Sequence, residues 1–460
     1  MTDTVKIVSP VDGRVYAERK VASGAEIDAA VTRATQARRA WGEVTVRERA
    51  KVVSHFVDAL LGMNDDIVPE LAWQMGRPIR YGGEKRGVEE RSRYMIGIAE
   101  EALKPSEKPG KDGFTRFITR EPLGTMLVIA PWNYPFLTAV NSIVPGLMAG
   151  NAVLLKHASQ TLLAGERFAA AASLAGLPEG LFQNLVLNHA DTETLIGSGR
   201  IDHINFTGSV EGGRRVERAA AGTFATLGLE LGGKDPAYVR PDADLASAVE
   251  NLVDGSFFNS GQSCCGVERI YVHADVYDRF VEGFVETAKG WTLGNPLDAE
   301  TVVGPMAHGR FADIVREQTA EALRKGARAH LQTRHDLDEA SSPYLAPEVL
   351  TGVNHQMAVM REESFGPVVG IMKVADDDEA ITLMNDSPYG LTASIWTADM
   401  DMAARLGARV ETGTVFANRC DYLDPALVWT GVKDTGKGGA LSEIGYANLT
   451  QPKSYHLKVV

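Results

Sequence analysis

MLVIAPWNYPFLTAVNSIVPGLMAGNAVLL, residues 126–155, sets the fold. The apolar run 126–130 is ended by Pro131, a helical stretch covers about 135–149, and a second apolar run follows at 152–155. Two strands joined through a helix lie parallel, because a tight turn serves only antiparallel neighbours. The pattern recurs downstream: a helix over 162–174, the run LFQNLVL from Leu181, the run HINFTGS from His203, and a helix opening near Val210. This alternation predicts an α/β fold, a parallel sheet with helices on both faces. After Gly233 a second alternating region begins, with a helix over 244–258, the strand-like RIYVHA from Arg269 and a helix over 277–289. It reads as a second α/β domain. Near the amino terminus Ile27, Val31, Ala34 and Trp41 recur at helical spacing, so 25–41 is a core-facing helix. FTRFITREP from Phe114 and KSYHLKVV from Lys453 alternate like strands outside both domains, and they are expected to pair with another subunit.

Composition limits the function. A chain of 460 residues is about three times a typical domain and needs more than one core. With 44% hydrophobic and 23% charged residues and no apolar run near the roughly 20 residues of a membrane span, it reads as an ordinary soluble chain with no membrane partner. MTDTVKIVSPVDG has no basic region followed by an apolar core, so a cytoplasmic location is expected. The net charge of -13 and the lack of a Lys/Arg block argue against nucleic acid and for a small-molecule ligand. Ten histidines show no HExxH spacing and three cysteines show no paired CxxC, so no metal site is predicted; His157 reads as loop lining. The run 376–379 reads as the acidic start of a helix.

Three motifs carry chemistry. FFNSGQSCCG, 257–266, holds two of the three cysteines, whose ordinary role would be small core residues. FTGSVEGG, 206–213, follows a strand-like run and opens a helix, where backbone N–H groups favour an anion such as a pyrophosphate; the same pattern also marks a plain strand-to-helix turn. ELGGKDP, from Glu230, sets a carboxylate beside two glycines that let backbones approach closely, so Glu230 is either a general base or a solvated acid ahead of a turn.

Together PWNYP (131–135), LLKHAS (154–159), FTGS (206–209), ELGGK (230–234), FFNSGQSC (257–264) and EESFGP (362–367), in this order, resemble the aldehyde dehydrogenase superfamily. The resemblance runs from SPVDG at Ser9 through GVKDTGKG at Gly431 to the end. It implies a Rossmann-like cofactor-binding domain (1–107 and 123–232), a catalytic α/β domain (233–433) and a small β oligomerisation element (108–122 and 446–460), in a homodimer or homotetramer. It assigns the nucleophile to Cys264 rather than Cys265, the oxyanion donor to Asn133 and the base that hydrolyses the thioester to Glu230. Relatives that pass the acyl group to coenzyme A generally lack that glutamate, so hydrolysis to a free acid is implied over an acylating semialdehyde dehydrogenase, and the intact trio argues against a silent structural protein. For NADP or NAD it assigns Glu363 to the nicotinamide ribose, Lys156 to the adenosine ribose and Gly208, Ser209 and Gly213 to the pyrophosphate turn, with Trp132 and Phe365 beside them.

Two departures from the family pattern stand out. Where NAD-preferring relatives often carry a Glu three residues after the lysine, this chain has Ser159, which favours NADP. The carboxy-terminal GxGRE pattern reads Gly436, Lys437, Gly438, Gly439, Ala440, so its Arg and Glu are missing. Pocket positions matched to the family are Tyr134, Asn141, Ser263, Cys265, Arg419 and Trp429; Arg419 is the expected anchor for the carboxylate of a semialdehyde such as succinic semialdehyde.

Overall fold

The computed structural model describes residues 3–331 and 341–459. Part of the expected 233–433 unit, residues 332–340, and the last residue of the carboxy-terminal run lie outside the described residues.

The opening stretch folds as strand Thr125–Ala130, helix Leu137–Ala149 and strand Ala152–His157, with the strands parallel. Both strands are buried along their whole length, which is why they read as unbroken apolar runs rather than alternating ones. The helix starts two residues later than the pattern predicts. The carboxylate of Glu84, the residue before helix Lys85–Ala102, accepts the N–H groups of Phe136 and Leu137 at 3.0 and 2.6 Å, and that capping fixes its first turn.

Six strands form the first sheet, in the order Gly436–Lys437, Thr226–Glu230, His203–Thr207, Thr125–Ala130, Ala152–His157 and Phe182–Asn184. All run parallel except the short Gly436–Lys437. The expected strand LFQNLVL shortens to Phe182–Asn184 at the sheet edge. Strand Thr125–Ala130 has Ala152–His157 on one side and His203–Thr207 on the other, so the strand order reverses there and a crevice opens at the carboxyl ends. Helix Gly24–Gly42, opened by a Ser23/Glu26 capping box, covers this sheet, and its Trp41 indole donates to the Leu147 carbonyl at 2.8 Å.

The second sheet has seven strands, ordered Arg328–Ala329, Glu348–Thr351, Val368–Val374, Val267–His273, Asp235–Val239, Thr392–Trp396 and Thr414–Ala417. Strand Thr226–Glu230 of the first sheet and strand Asp235–Val239 of the second are four residues apart in the chain, so Leu231–Lys234 is the crossing between the two layers. The acidic run behaves as the sequence predicts: Asp376 caps helix Asp377–Asn385 through the Glu379 N–H.

Strands Phe114–Pro122 and Thr450–Lys458 pair with each other within the chain, antiparallel, from Thr450 opposite Pro122 to Lys458 opposite Phe114. With Ser106–Glu107 they make a separate three-stranded sheet whose edge, Thr450–Lys458, is largely exposed. Alternation predicts the strands but not which strand each one pairs with. Among the described residues no helix is long and apolar enough to cross a membrane.

Candidate active site

After helix Leu245–Phe257 the chain turns through Asn259 and Ser260, both with left-handed backbone (φ 54° and 57°), and Gly261 at φ 69°. Side chains hold this strained turn. Asn259 Nδ2 donates to the Gln262 carbonyl at 3.2 Å, Gln262 Nε2 donates to the Asn259 carbonyl at 3.1 Å, and Ser260 Oγ donates to the Gly304 carbonyl at 2.8 Å. Gly261 is required by proximity as well as by φ, since a Cβ there would lie 2.3 Å from the Gly366 carbonyl. The turn delivers Cys264 half-buried and Cys265 buried, both as free thiols.

The two sulfurs are chemically distinct. Cys265 Sγ donates to Asp421 Oδ1 at 2.8 Å, and Ser263 Oγ donates to the same oxygen at 3.3 Å. Its hydrogen bond with Cys264, its burial and the Asp421 carboxylate push the Cys265 thiol well up. Cys265 is therefore held as a thiol, and a thiol is a weaker nucleophile than a thiolate.

Asn133 follows strand Thr125–Ala130 and is buried. Its carbonyl accepts from Arg77 Nη2 at 2.6 Å and Asn259 Nδ2 at 3.2 Å, which aims its Nδ2 at the Gln262 carbonyl, 3.1 Å away and two residues before Cys264. Arg77 is itself fixed by a buried ion pair with Glu84 and stacks over the Tyr134 ring, 4.8 Å from its centroid.

Glu230 ends strand Thr226–Glu230 and accepts a 3.3 Å hydrogen bond from Thr207 Oγ1. Burial pushes its carboxyl up to about 7. The two glycines that follow set the spacing of the site. A Cβ on Gly232 would lie 2.4 Å from the Glu363 carboxylate, and one on Gly233 would lie 2.5 Å from the Cys264 carbonyl. The Gly233 N–H donates to Glu363 Oε1 at 3.0 Å; burial, and secondarily Glu268, pushes the Glu363 carboxyl up to about 8. Lys234 is fully buried, paired with Glu268 and bonded to Ser364 Oγ at 2.9 Å. ELGGK thus interlocks with EESFGP and with the loop that carries Cys264.

The crevice of the first sheet collects the other expected positions. Lys156 sits at the end of its strand, in register with Ile129; burial pushes its amine down to about 8, and it makes no hydrogen bond among the described residues. Ser159 is exposed at the start of the single turn Ser159–Thr161. Ser209 caps helix Val210–Ala220, its Oγ accepting from Gly212 at 3.2 Å, and the Gly208 N–H donates to the Glu230 carbonyl at 3.0 Å. Gly213 lies deeper, and a Cβ there would strike Leu231, so it serves helix-to-strand packing. Trp132 stacks on Phe311 at 5.3 Å and meets the edge of Phe365 at 5.5 Å. An unpartnered buried amine, a helix amino terminus and a carboxylate along one crevice fit a dinucleotide. His157 is neutral, pushed down to about 4 by burial, and ties the PWNYP loop to its strand through the Pro135 carbonyl at 3.1 Å.

Of the pocket positions, Tyr134, Ser263 and Cys265 gather around Asp421, while Asn141 Oδ1 accepts from Arg91 at 3.4 Å. Two expected positions fall elsewhere. Arg419 is exposed, with its guanidinium 3.5 Å from the centroid of the Tyr422 ring; Trp429 is buried in the core and paired through its backbone with Ala440. Among the described residues no group of three or more His, Cys, Asp or Glu is placed to hold a metal.

The aldehyde dehydrogenase family model matches residues 1–455. The chain belongs to the aldehyde dehydrogenase family. An aldehyde dehydrogenase of Paenarthrobacter nicotinovorans is 36% identical over 442 residues, 93% of this chain and 94% of that protein. A succinate-semialdehyde dehydrogenase [NADP(+)] of Deinococcus radiodurans is 34% identical over 450 residues, 97% of this chain and 93% of that protein. Among solved structures, PnpE in complex with nicotinamide adenine dinucleotide superposes with a TM-score of 0.94 at 28% identity, covering 99% of this chain and 94% of that one.

Within this aldehyde dehydrogenase the altered GxGRE segment still does structural work. Gly436 pairs with Glu230, and Lys437 pairs with Glu217 at the surface. Buried Thr435 accepts from the Gly390 N–H and donates to the Gly232 carbonyl, both at 2.9 Å, joining the two sheets behind the site. Beside it a cavity of about 350 Å³ is lined by Glu230, Asn141, Asn205 and His203. Sequence reasoning missed Arg91 and Arg77, which approach the site from segments with no motif around them, and chose Arg419 rather than its near neighbour Asp421.

Proposed function

We propose that this chain oxidises an aldehyde to the free carboxylic acid with NADP or NAD, in a cytoplasmic homodimer or homotetramer. The observation that supports the reading is that Gly233, three residues after Glu230, approaches the Cys264 carbonyl too closely for any side chain, while Asn133 Nδ2 donates to the Gln262 carbonyl two residues before Cys264.

The Cys264 thiolate adds to the aldehyde carbon, forming a C–S bond as the carbonyl electron pair moves onto oxygen. Asn133 Nδ2 and the Cys264 N–H stabilise that oxyanion; Arg77 and Asn259 donate to the Asn133 backbone carbonyl, and Asn133 Nδ2 itself donates to the Gln262 carbonyl beside the loop. NADP or NAD, held by Lys156, Ser209 and Glu363, would supply the hydride acceptor that this oxidation requires. Collapse of the oxyanion leaves a thioester on Cys264. Glu230 takes a proton from water, the water oxygen attacks the thioester carbon, and the C–S bond breaks to return the thiolate. A carboxyl raised to about 7 is well matched to that task near neutral pH. Its presence favours water over coenzyme A as the acyl acceptor.

The exposed Ser159 hydroxyl, with no carboxylate in its place, supports NADP use, as does the NADP(+) in the names of relatives. Those names also support a semialdehyde, with a carboxylate at its far end, as the substrate. The exposed edge strand Thr450–Lys458 supports covering by another copy of the chain. The division of labour proposed is cofactor binding by 1–107 and 123–232, chemistry by 233–433 and assembly by 108–122 and 446–460. The test is a panel of charged and uncharged aldehydes assayed with each cofactor, following reduced nicotinamide by absorbance and the product by mass spectrometry. Free acid formed without coenzyme A is expected; strict dependence on coenzyme A would overturn the reading.

A further inference from the structure

Arg91 lies on helix Lys85–Ala102 and is buried. Its Nη1 donates to the Leu137 carbonyl at 3.2 Å and to Asn141 Oδ1 at 3.4 Å, and it enters no ion pair among the described residues. The other buried arginines are better satisfied. Arg77 has Glu84, Arg49 donates to three backbone carbonyls, and Arg269 donates to the carbonyls of Lys234, Leu383 and Met384. A buried guanidinium without an anion is unfavourable and is normally paired. The donors around it are open too: Asn141 Nδ2 and Ser92 Oγ, both buried, have no hydrogen-bond partner. Burial pushes the Arg91 guanidinium down, and the titratable groups that face it are Cys265, Glu230, Glu84 and Cys264. Asn141 also lines the cavity that Glu230 lines.

We propose that Arg91, with the open amide N–H of Asn141, is the specificity-determining pair that receives the carboxylate tail of the aldehyde while its carbonyl carbon lies at Cys264. This rests on the semialdehyde reading above and supplies the anchor that exposed Arg419 does not. The planar fork of a guanidinium suits a carboxylate, and the incoming anion supplies the counter-charge that the fold omits. An uncharged aldehyde leaves Arg91 unpaired, so the pocket discriminates by the penalty of an unmet buried charge as well as by attraction.

The test compares succinic semialdehyde with butanal, of equal chain length, on wild type, Arg91→Met, Arg91→Lys, Asn141→Ala and Arg419→Ala. Arg91→Met should lower the selectivity ratio, kcat/KM for succinic semialdehyde over that for butanal, by about 10- to 100-fold, mainly through KM; Arg91→Lys should restore part of it. Asn141→Ala should lower it less, and Arg419→Ala should leave the ratio unchanged. An equal loss on both aldehydes in Arg91→Met, with a displaced pH profile, would make Arg91 a positioning residue for Cys264 and Glu230 and overturn the proposal. A wild type that oxidises butanal as well as succinic semialdehyde would overturn the proposal and the semialdehyde reading together, leaving aldehyde oxidation intact. Independently of turnover, millimolar succinate should raise the melting temperature of wild type and not of Arg91→Met; an identical response in both also overturns it. Arg91→Met removes an unpaired buried charge, so it should melt no lower than wild type, and Arg91→Lys guards against a folding defect.

Discussion

Replacing Gly233 by Ala tests whether the spacing between ELGGK and the nucleophile loop is what positions Cys264. The added Cβ would lie 2.5 Å from the Cys264 carbonyl oxygen and 2.9 Å from Asp235 Oδ1, whereas ordinary contact begins at 3.4 Å. Neither neighbour can yield easily. Asp235 is held by Thr392 Oγ1 at 2.6 Å and the Thr392 N–H at 3.1 Å, and the nucleophile loop is locked by Asn259 and Gln262. The Cys264 carbonyl must therefore retreat by roughly 0.5–0.9 Å, and a displacement near 1 Å from the productive geometry typically lowers turnover by about 10²-fold. Steady-state kcat for the best aldehyde of the panel, with cofactor affinity measured by fluorescence titration and folding checked by thermal melting, separates the effects. Gly233→Ala should fold and bind cofactor while kcat falls about 100-fold. Turnover within threefold of wild type would show that the Gly233 contact does not set the position of the nucleophile.

Other outcomes follow from the same geometry. With the Glu230 carboxyl near 7, the deacylation rate should rise about tenfold between pH 6 and pH 8, and a flat profile would remove Glu230 as the base. The sign for stability is opposite. Its contribution is full below the ordinary value of 4.5 and is lost as pH rises through 7, so Glu230→Gln should melt above wild type at pH 8; a lower melting temperature contradicts the raised value. Asn133→Ala should lose about 3 kcal/mol of transition-state stabilisation, a fall of about 10²-fold in kcat with Cys264 still reactive to a thiol reagent; a change in KM alone argues against the oxyanion role. Ser159→Glu should lower the NADP to NAD efficiency ratio by about tenfold or more, and an unchanged ratio would show that this position does not read the 2'-phosphate.

What could be read from the sequence was local. The strands 126–130 and 152–155 stood out because full burial made them unbroken apolar runs, and the motifs carrying Asn133, Lys156, Ser209, Glu230, Cys264 and Glu363 are each a few residues long. What could not be read depends on contacts between distant segments. Arg91 meets Asn141 across 50 residues and Cys265 meets Asp421 across 156. Nothing in EERSRYM distinguishes Arg91 from its charged neighbours Glu89, Glu90 and Arg93, and its burial is settled only when its helix packs against Leu137–Ala149. Arg419 misled for the converse reason. It is three residues from Tyr422, over whose ring it stacks, while the site is met two residues on by Asp421. The helix expected from residue 135 starts at Leu137 because its cap, Glu84, comes from 53 residues earlier.

The most direct test of the central claim is to trap the covalent intermediate. Glu230→Gln is mixed with aldehyde and cofactor, quenched in acid within seconds, and analysed by intact and peptide mass spectrometry. One acyl group per chain, on the peptide containing Cys264 and absent in Cys264→Ala but present in Cys265→Ala, is the predicted result, with one equivalent of reduced nicotinamide released in the same burst. An acyl group that survives Cys264→Ala, or a burst of reduced nicotinamide with no adduct on either sulfur, would contradict oxidation through Cys264.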